Sequence, residues 1–372
     1  MRLISAVIWG LILAPAVSVG SPFSPALRRV APVSLQRVAP ASLRYGDAAP
    51  AAARAPGAAP AGVYALVNSG GTWLARILPN GTVARVGPGG ANASWAPSQG
   101  LAVLDPSAAA LLTILGNEKD HNAPSLFTFD LATGDVTAVV PLPFVNGDTI
   151  GVEQFVSLAP DPGEAIVGGT VVTGDQVIGA VDRHSGAFRE IARLNGSDTQ
   201  IAISCSRGTI AAGADGAPAV LFGGLDPKPP YARLLLRVTL SGAGAGRVTR
   251  VINPDSHQIY SFSTDPLTGD VVGLGSRGQE EEEIVARLSP RNMTTSLVGA
   301  MPSLTVNLDG LAAIDTAGNA LAWVGAVDAD SPFLLVRNSL EPGAAELSRV
   351  QVCVSLEQCN LWSLDIYSPP AV

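Results

Sequence analysis

Charged residues are scarce in this chain, where Lys, Arg, Asp and Glu together make up only 15 % of 372 residues. The basic residues are the smaller share, 23 against 31 acidic ones, which gives a net charge of −8. Affinity for nucleic acid depends on Lys and Arg neutralising phosphates, and an anionic membrane surface attracts similar basic clusters. The composition therefore argues against both of these partners.

Cysteine and histidine are also rare, with three of each in the whole chain. Their spacing matches no pattern of zinc ligands, so a zinc site is not expected. Cys353 and Cys359 bracket a short loop, and we expect them to pair in an oxidising compartment. Closing such a loop is worth roughly 2 kcal/mol in the chain-entropy description of disulfides.

The common catalytic motifs are missing from the sequence. It contains no Gly-x-Ser-x-Gly elbow, no His-Glu-x-x-His and no Walker A loop. One Gly-x-Gly-x-x-Gly occurs at residues 273–278, but four glutamates at 280–283 follow where a dinucleotide site needs a helix N-terminus. We interpret the glycines as a hairpin loop and the acidic run as a solvated loop.

Only one long hydrophobic run is present, at residues 3–19 after Arg2. Ser18 and Gly20 are small and suit cleavage before Ser21, which is typical of a secretory signal peptide over residues 1–20. An uncleaved signal anchor is the alternative, because the run approaches spanning length. The expected location is extracellular through the endoplasmic reticulum, with no membrane segment in the mature protein.

Residues 21–62 are dominated by Ala, Pro, Ser and Arg, and they cannot bury enough apolar surface to fold alone. We expect a disordered linker or propeptide there, and a short tail at residues 369–372. N-glycosylation sequons are predicted to lie in surface turns of a secreted glycoprotein. They occur at Asn80, Asn92, Asn195 and Asn292.

Glycine and proline, by contrast, are abundant, with 40 and 29 residues that divide the chain into short apolar segments. This division favours strands over long helices. From Val63 a unit recurs about every 50 residues, the period of propeller blades. Its hairpins lie at residues 73–87, 126–140, 178–194, 234–252, 284–299 and 333–352. Further strands open the units at residues 100–106, 154–162, 200–206, 258–266 and 310–316.

A last copy of the opening strand stands alone at residues 360–368, while the first unit lacks one. If the last strand completes the first blade, the ring closes and hides its strand edges. The sequence therefore predicts an all-β, six-bladed β-propeller over residues 63–368, closed by the C-terminal strand. An open β-sandwich or two β domains are the alternatives. The arrangement resembles the superfamily of six-bladed propellers with strictosidine-synthase-like, lactonase-like and TolB-like members.

Polar residues recur where each innermost strand begins, which is one mouth of the central channel. Amides can both donate and accept hydrogen bonds there. The candidate ligand-binding residues are Gln99, Gln154, Gln200, Gln258, Asn307 and Asn360. Carboxylates among them could hold Ca²⁺ through oxygen atoms. The candidate metal ligands are Glu153, Asp198, Asp255 and Asp309.

Three functions fit these patterns. The first is a secreted, monomeric binding module that recognises a protein or glycan at the channel mouth or on a blade face. The second is a Ca²⁺-dependent hydrolase of the lactonase or esterase type, with Glu153 or His257 moving a proton. The third is a structural component of an extracellular matrix or wall. The missing catalytic motifs favour binding and leave the question of enzymatic activity open.

Overall fold

The structure is a computed structural model in which the chain divides into two units, residues 1–45 and 46–372. The described residues all belong to the second unit. They are residues 59–117, 123–144, 155–195, 200–201, 208–213, 215–226, 228, 233–252, 258–264, 269–277, 282–300, 306–315, 320–326, 331–353 and 361–367. The proposed signal peptide therefore lies outside them. Within these residues no helix has the length and apolar character needed to cross a membrane.

The described strands form six antiparallel sheets, which we number as blades I to VI and give from the innermost strand outward. Blade I contains β25 (Leu361–Tyr367), β1 (Gly62–Asn68), β2 (Thr72–Ile77) and β3 (Val83–Arg85). Blade II contains β4 (Trp95–Asp105), β5 (Ala110–Asn117), β6 (Ala123–Asp130) and β7 (Val136–Pro141). Blade III contains β8 (Phe155–Leu158), β9 (Glu164–Thr170), β10 (Gln176–Asp182) and β11 (Phe188–Leu194).

The remaining blades repeat this arrangement. In blade IV the innermost position is shared by β12 (Gln200–Ile201) and β13 (Thr209–Ala212), followed by β14 (Pro218–Leu225), β15 (Arg233–Thr239) and β16 (Val248–Ile252). Blade V contains β17 (Gln258–Thr264), β18 (Val271–Arg277), β19 (Glu282–Ser289) and β20 (Thr294–Ala300). Blade VI contains β21 (Val306–Asp315), β22 (Ala320–Ala326), β23 (Phe333–Ser339) and β24 (Glu346–Cys353).

The predicted closure of the ring is confirmed. Strand β25 pairs antiparallel with β1, and the register joins Ile366 to Val63 and Leu364 to Ala65. The C-terminal strand thus supplies the innermost strand of blade I, so all six blades have four layers of strand. The six predicted hairpins are confirmed as the third and fourth strands of the blades, and the fold is a six-bladed β-propeller.

Burial changes in a regular way from the second strand of a blade to the fourth. Every described residue of β22 is buried, and β5 is buried except at its last residue. Both strands read as continuous apolar runs because neighbouring blades cover both of their faces. The outermost strands β7 and β24 are largely exposed and carry the Thr, Glu, Ser and Arg residues expected at a solvated edge.

The hydrophobic core is a ring of clusters between adjacent blades rather than one central core. Leu66 and Leu74 of blade I pack in one cluster with Leu111 and Phe127 of blade II. Similar clusters join blades II and III, III to V, V and VI, and VI and I. Because each cluster needs two blades, no single blade can bury its faces alone.

The turns between third and fourth strands touch the preceding blade through residues with positive φ. Gly134 in blade II has φ of 72° and lies against the backbone of Val86 in blade I. Blade V has Met293 at the corresponding position, with φ of 60° and its side chain buried against blade IV. Left-handed backbone at these positions brings the outer parts of neighbouring blades into contact.

Two sequence-based interpretations need correction. Gly273 and Gly275 lie inside β18 rather than in a hairpin loop, since Gly273 pairs with both Phe262 and Ala286. Glu282 and Glu283 belong to the next strand, β19, instead of a loop. Gly273 and Gly275 are therefore part of a strand that leads to another strand, as a blade requires and a dinucleotide site does not, while Gly278, Glu280 and Glu281 lie outside the described residues.

The folded unit includes residues before the boundary at Val63 that the composition predicts. Gly62 is the first residue of β1, and Ala59 is buried in the cluster between blades I and II. The Tyr64 hydroxyl donates a hydrogen bond of 2.7 Å to the carbonyl oxygen of Pro60. Residues 59–62, which the composition assigned to the linker, are thus part of the folded unit.

Candidate functional site

A cavity of about 380 Å³ lies where the innermost strands of all six blades meet. Its volume falls within the range of roughly 300–1,000 Å³ that is typical of small-molecule sites. The lining residues come from β4, β8, β13, β17, β21 and β25 and the segments next to them. They are Val103, Leu104, Pro106, Ser157, Leu158, Gly208, Thr209, Ile210, Ser263, Thr264, Ile314, Asp365 and Ile366.

Hydroxyl groups line the cavity on three consecutive blades, and we call this set the hydroxyl arc. It consists of Ser157 in blade III, Thr209 in blade IV, and Ser263 and Thr264 in blade V. Thr264 Oγ1 donates to the carbonyl oxygen of Ile210 at 2.6 Å, and it lies 2.7 Å from Thr209 Oγ1. This contact joins blades IV and V at the cavity wall.

The opposite side of the cavity carries aliphatic side chains and a carboxylate. Leu104 of blade II, Ile314 of blade VI and Ile366 of blade I line it, and these three blades face the arc across a six-membered ring. Among the described lining residues Asp365 is the acidic one. Its Oδ2 accepts a hydrogen bond of 2.7 Å from the Leu104 amide, and its Oδ1 accepts one of 2.9 Å from the Ile366 amide. The carboxylate therefore also connects blade I to blade II.

A buried ion pair fixes the turn beside the cavity. Arg183 Nη1 lies 2.5 Å from Asp105 Oδ2, and both side chains are less than one-tenth exposed. Asp105 Oδ1 also accepts hydrogen bonds from the amide and hydroxyl of Ser107 at 2.9 and 2.6 Å. Burial alone would raise the pKa of Asp105, but the Ser107 and Arg183 hydrogen bonds outweigh it and hold that pKa below its usual value.

This pair gives a testable dependence of stability on pH. We expect Asp105→Asn to lower the free energy of unfolding by about 3 kcal/mol at pH 7, because Arg183 is left as an uncompensated buried charge. Since the pKa of Asp105 is lower in the folded state, its contribution is complete above the unfolded value of about 3.9 and is lost as the pH falls below it. Urea unfolding of both proteins from pH 7 to pH 3 measures the difference.

The double variant Asp105→Asn/Arg183→Met is the matched control. Removing both charges leaves no unpaired ion, so we expect it to recover most of the stability lost in the single variant. A single variant as stable as the wild type at pH 7, or a difference that grows as the pH falls, would contradict the assigned role of the pair.

The sequence-predicted mouth residues occupy a different part of the channel from the cavity. Gln200 and Gln258 are the first residues of β12 and β17, and Asn307 is the second residue of β21, whereas the cavity lies toward the other end of the inner strands. Gln99 lies in the irregular part of β4 between Pro97 and Ala102. The side chains of these four residues are outside the described part of the structure, so their ligand-binding role stays a prediction.

The other predicted site residues lie outside the described residues altogether. They are Glu153, Gln154, Asp198, Asp255, His257, Asn360 and Cys359. Asp309 lies in β21, but its side chain is not described. Among the described residues no group of three or more His, Cys, Asp or Glu side chains is arranged to hold a metal ion. The calcium and catalytic hypotheses therefore stay predictions, as does the pairing of buried Cys353 with Cys359.

The four sequons lie at exposed positions. Asn80 and Asn292 occupy corresponding turns between the third and fourth strands of blades I and V. Asn92 follows β3, and Asn195 follows β11, so both lie after the outermost strand of a blade. Asn80 and Asn292 are thus in the hairpins of the two outer strands, whereas Asn92 and Asn195 lie in segments that lead from an outermost strand to the innermost strand of the next blade.

Sequence reasoning did not find the hydroxyl arc. A signal was available, because Ser157 and Ser263 stand in otherwise apolar inner strands, FVSL and QIYSFST. Amides and acids cluster at the starts of the inner strands, so the repeat draws the prediction there, whereas these hydroxyls stand singly near the strand ends.

The chain is similar in fold to solved structures, but no family model and no curated protein matches it. Among solved structures it is similar to TolB from Acinetobacter baumannii, with a TM-score of 0.54 and 15 % identity over 82 % of this chain and 66 % of the TolB chain. It is also similar to a chain in a crystal structure of a nidogen–laminin complex, with a TM-score of 0.54 and 9 % identity over 83 % of this chain and 100 % of that one.

The similarity is one of fold. This chain spans slightly less than two thirds of the TolB chain, and both identities are far below the level that implies a shared activity. What these comparisons establish is the six-bladed propeller architecture, which agrees with the strand pairing described above.

Proposed function

We propose that this chain is a secreted, N-glycosylated binding protein that takes a ligand into the central channel of its propeller. The observation that carries the proposal is the cavity of about 380 Å³, which is lined by all six innermost strands and combines hydroxyl groups on blades III to V and the Asp365 carboxylate with aliphatic side chains. Pockets with mostly apolar walls and a few placed polar groups are typical of ligand sites.

The positions of the sequons support this reading. Asn80 and Asn292 are exposed in turns of outer hairpins, and Asn92 and Asn195 are exposed after outermost strands. Glycans on Asn80 and Asn292 would lie at the periphery of the propeller, in the hairpins of the two outer strands, and leave the channel axis accessible. Exposed turns are also where an oligosaccharide is solvated without disturbing the core.

The fold relatives give a further, weaker support. The nidogen–laminin structure contains a propeller chain in a complex of two proteins, and this shows that the architecture can serve binding. For the present chain we propose a monomer that binds a small molecule, a glycan or a protein segment reaching the channel, without nucleic acid or a membrane as partner. The net charge of −8 agrees with the last two exclusions.

The proposal is tested by filling the channel. Ser263 is 8 % exposed and lines the cavity, so Ser263→Leu places an isobutyl group in space that a ligand would need. The protein would be purified from a secreting eukaryotic host and screened against metabolite and glycan libraries by thermal shift and native mass spectrometry. We expect at least one compound to bind the wild type and to lose at least about tenfold in affinity in the variant.

Ser348→Leu is the matched control, because it makes the same substitution on an exposed residue of β24. It should bind as the wild type does. Equal affinity of the Ser263→Leu variant for every compound found would place recognition elsewhere on the molecule and contradict the proposal. A screen without any ligand would contradict it as well.

A further inference from the structure

We infer that residues 46–58 dock on blade I where it meets blade II, held by an ion pair between Asp47 and Arg76. The inference is independent of the proposed channel ligand, so the two can fail separately. It rests on a buried guanidinium nitrogen without a partner among the described residues, on the place where the N-terminal segment joins the propeller, and on the composition of that segment.

Arg76 carries an unused hydrogen-bond donor inside blade I. It lies on β2 between Tyr64 of β1 and Ala84 of β3, with which it pairs. Its Nε is buried and has no hydrogen-bonding partner among the described residues. Buried polar groups in native proteins are nearly always hydrogen-bonded, and a guanidinium is matched best by a carboxylate that accepts from its fork of N–H groups. The arrangement therefore indicates an acidic partner from another part of the chain.

The N-terminal segment enters the propeller beside this nitrogen. A Cβ placed on Gly62 would lie only 2.9 Å from Arg76 Nε, so the first residue of β1 is next to the guanidinium. Three residues earlier, Ala59 is 6 % exposed in the cluster between blades I and II. Three residues span at most about 11 Å, so the chain before Ala59 starts close to Arg76.

The surface around Arg76 belongs to the junction of two blades. Leu74 lies two residues before Arg76 on β2, so both side chains are on the same face of the strand. Leu74 packs in the same cluster as Ala59 and Leu104. Gly62 pairs with Tyr367, the residue after the cavity-lining Ile366, so this surface is at the cavity end of the propeller.

Residues 46–58 have the composition that such a surface requires. Asp47 is the one acidic residue among residues 1–58, and apart from Asp47 and Arg54 the segment consists of Ala, Pro and Gly. Small side chains allow the backbone to lie close to a surface, and proline lowers the entropy that docking costs. The segment also belongs to the same unit as the propeller, whereas residues 1–45 form the other unit.

The length of the segment permits the contact. Asp47 precedes Ala59 by 12 positions, and a chain of that length spans up to about 40 Å. Arg76 lies beside the point where this chain is anchored, well inside that reach. A short tether gives an effective concentration of the order of millimolar, so even a modest ion pair holds the segment for much of the time.

Trypsin cleavage tests the docking, because Arg54 lies inside the segment and Arg44 lies before it. The purified secreted protein is digested under native conditions, and mass spectrometry follows cleavage after each arginine. We expect Asp47→Asn and Arg76→Gln each to raise the rate after Arg54 by about five- to tenfold, the effect of losing one charge-assisted contact, and to leave the rate after Arg44 unchanged. Asp47 lies outside the strands, so its substitution tests the segment without altering a blade.

The double variant Asp47→Asn/Arg76→Gln shows whether the two residues act on each other. Its cleavage after Arg54 should be no faster than in either single variant, because each single change already removes the pair. Effects that multiply would mean two independent roles and overturn the pairing. Arg85→Gln is the matched control, an exposed arginine on the neighbouring strand β3, and it should be cleaved as the wild type is.

Two further results would overturn the inference. One is cleavage after Arg54 at the same rate in the native wild type as in a synthetic peptide of residues 40–60, since a docked segment is protected. The other is an intact mass showing that the secreted chain begins after Asp47. Neither result bears on ligand binding in the channel, which the Ser263→Leu variant tests separately.

Discussion

A chain that ends after Asn360 should fail to fold as a stable propeller. It lacks β25, whose Leu361, Leu364 and Tyr367 are at most 5 % exposed. Burying side chains of this kind contributes about 1.5–3 kcal/mol each, and a whole domain is stable by only about 5–15 kcal/mol. The loss also exposes the edge of β1, which pairs with β25 along its length.

Secretion yield, circular dichroism and urea unfolding measure the outcome. A chain that ends after Tyr367 is the control, because it keeps all of β25, and it should unfold within about 0.5 kcal/mol of the full chain. A truncated protein that unfolds cooperatively at the wild-type urea concentration would show that the closing strand contributes little, contrary to its burial.

Substituting Gly134 by alanine should destabilise the protein by about 2–5 kcal/mol. Gly134 has φ of 72°, which costs a residue with a Cβ roughly 1–2 kcal/mol. The new Cβ would also overlap the carbonyl oxygen of Val86 in the neighbouring blade, and overpacking adds about 1–3 kcal/mol. The carbonyl belongs to the backbone of blade I, so relief requires the two blades to separate.

The variant Gly174→Ala separates the cost of the positive φ from the cost of the overlap with the neighbouring blade. Gly174 has φ of 83°, yet an added Cβ there would meet no atom within 4 Å. The variant should lose at most about 1–2 kcal/mol, and part of that is offset because alanine restricts the unfolded chain. Urea midpoints at unchanged slope give both values. Equal losses in the two variants would mean that contact between blades I and II does not matter at this turn.

Most of the blade architecture was predictable because its signals are local. Alternating apolar strands and short polar turns recur within about 50 residues, so hairpins such as β6 and β7 could be recognised without knowing their neighbours. Closure could be inferred as well, since one strand was missing at Val63 and one was left over at the C-terminus. The ends of strands were harder to predict from the sequence, because Gly273 and Glu282 were expected in loops and lie inside strands.

The ion pair between Asp105 and Arg183 shows where local reasoning stops. Asp105 ends an inner strand, and its hydrogen bonds to Ser107 are those of a local turn. Its partner lies 78 positions away in the next blade, and nothing in the sequence near either residue indicates the pairing. Only the packing of blade II against blade III brings the two charges together.

By itself the sequence determined the fold class, the blade repeat and the strand that closes the ring, because each depends on patterns within a strand and its neighbouring turn. The tertiary structure alone decided where the cavity lies and what lines it. Ser157, Thr209 and Ser263 come from three strands about 50 residues apart, and each is unremarkable in its own segment. They become one surface only because the closed ring points the inner strands of successive blades at the same axis.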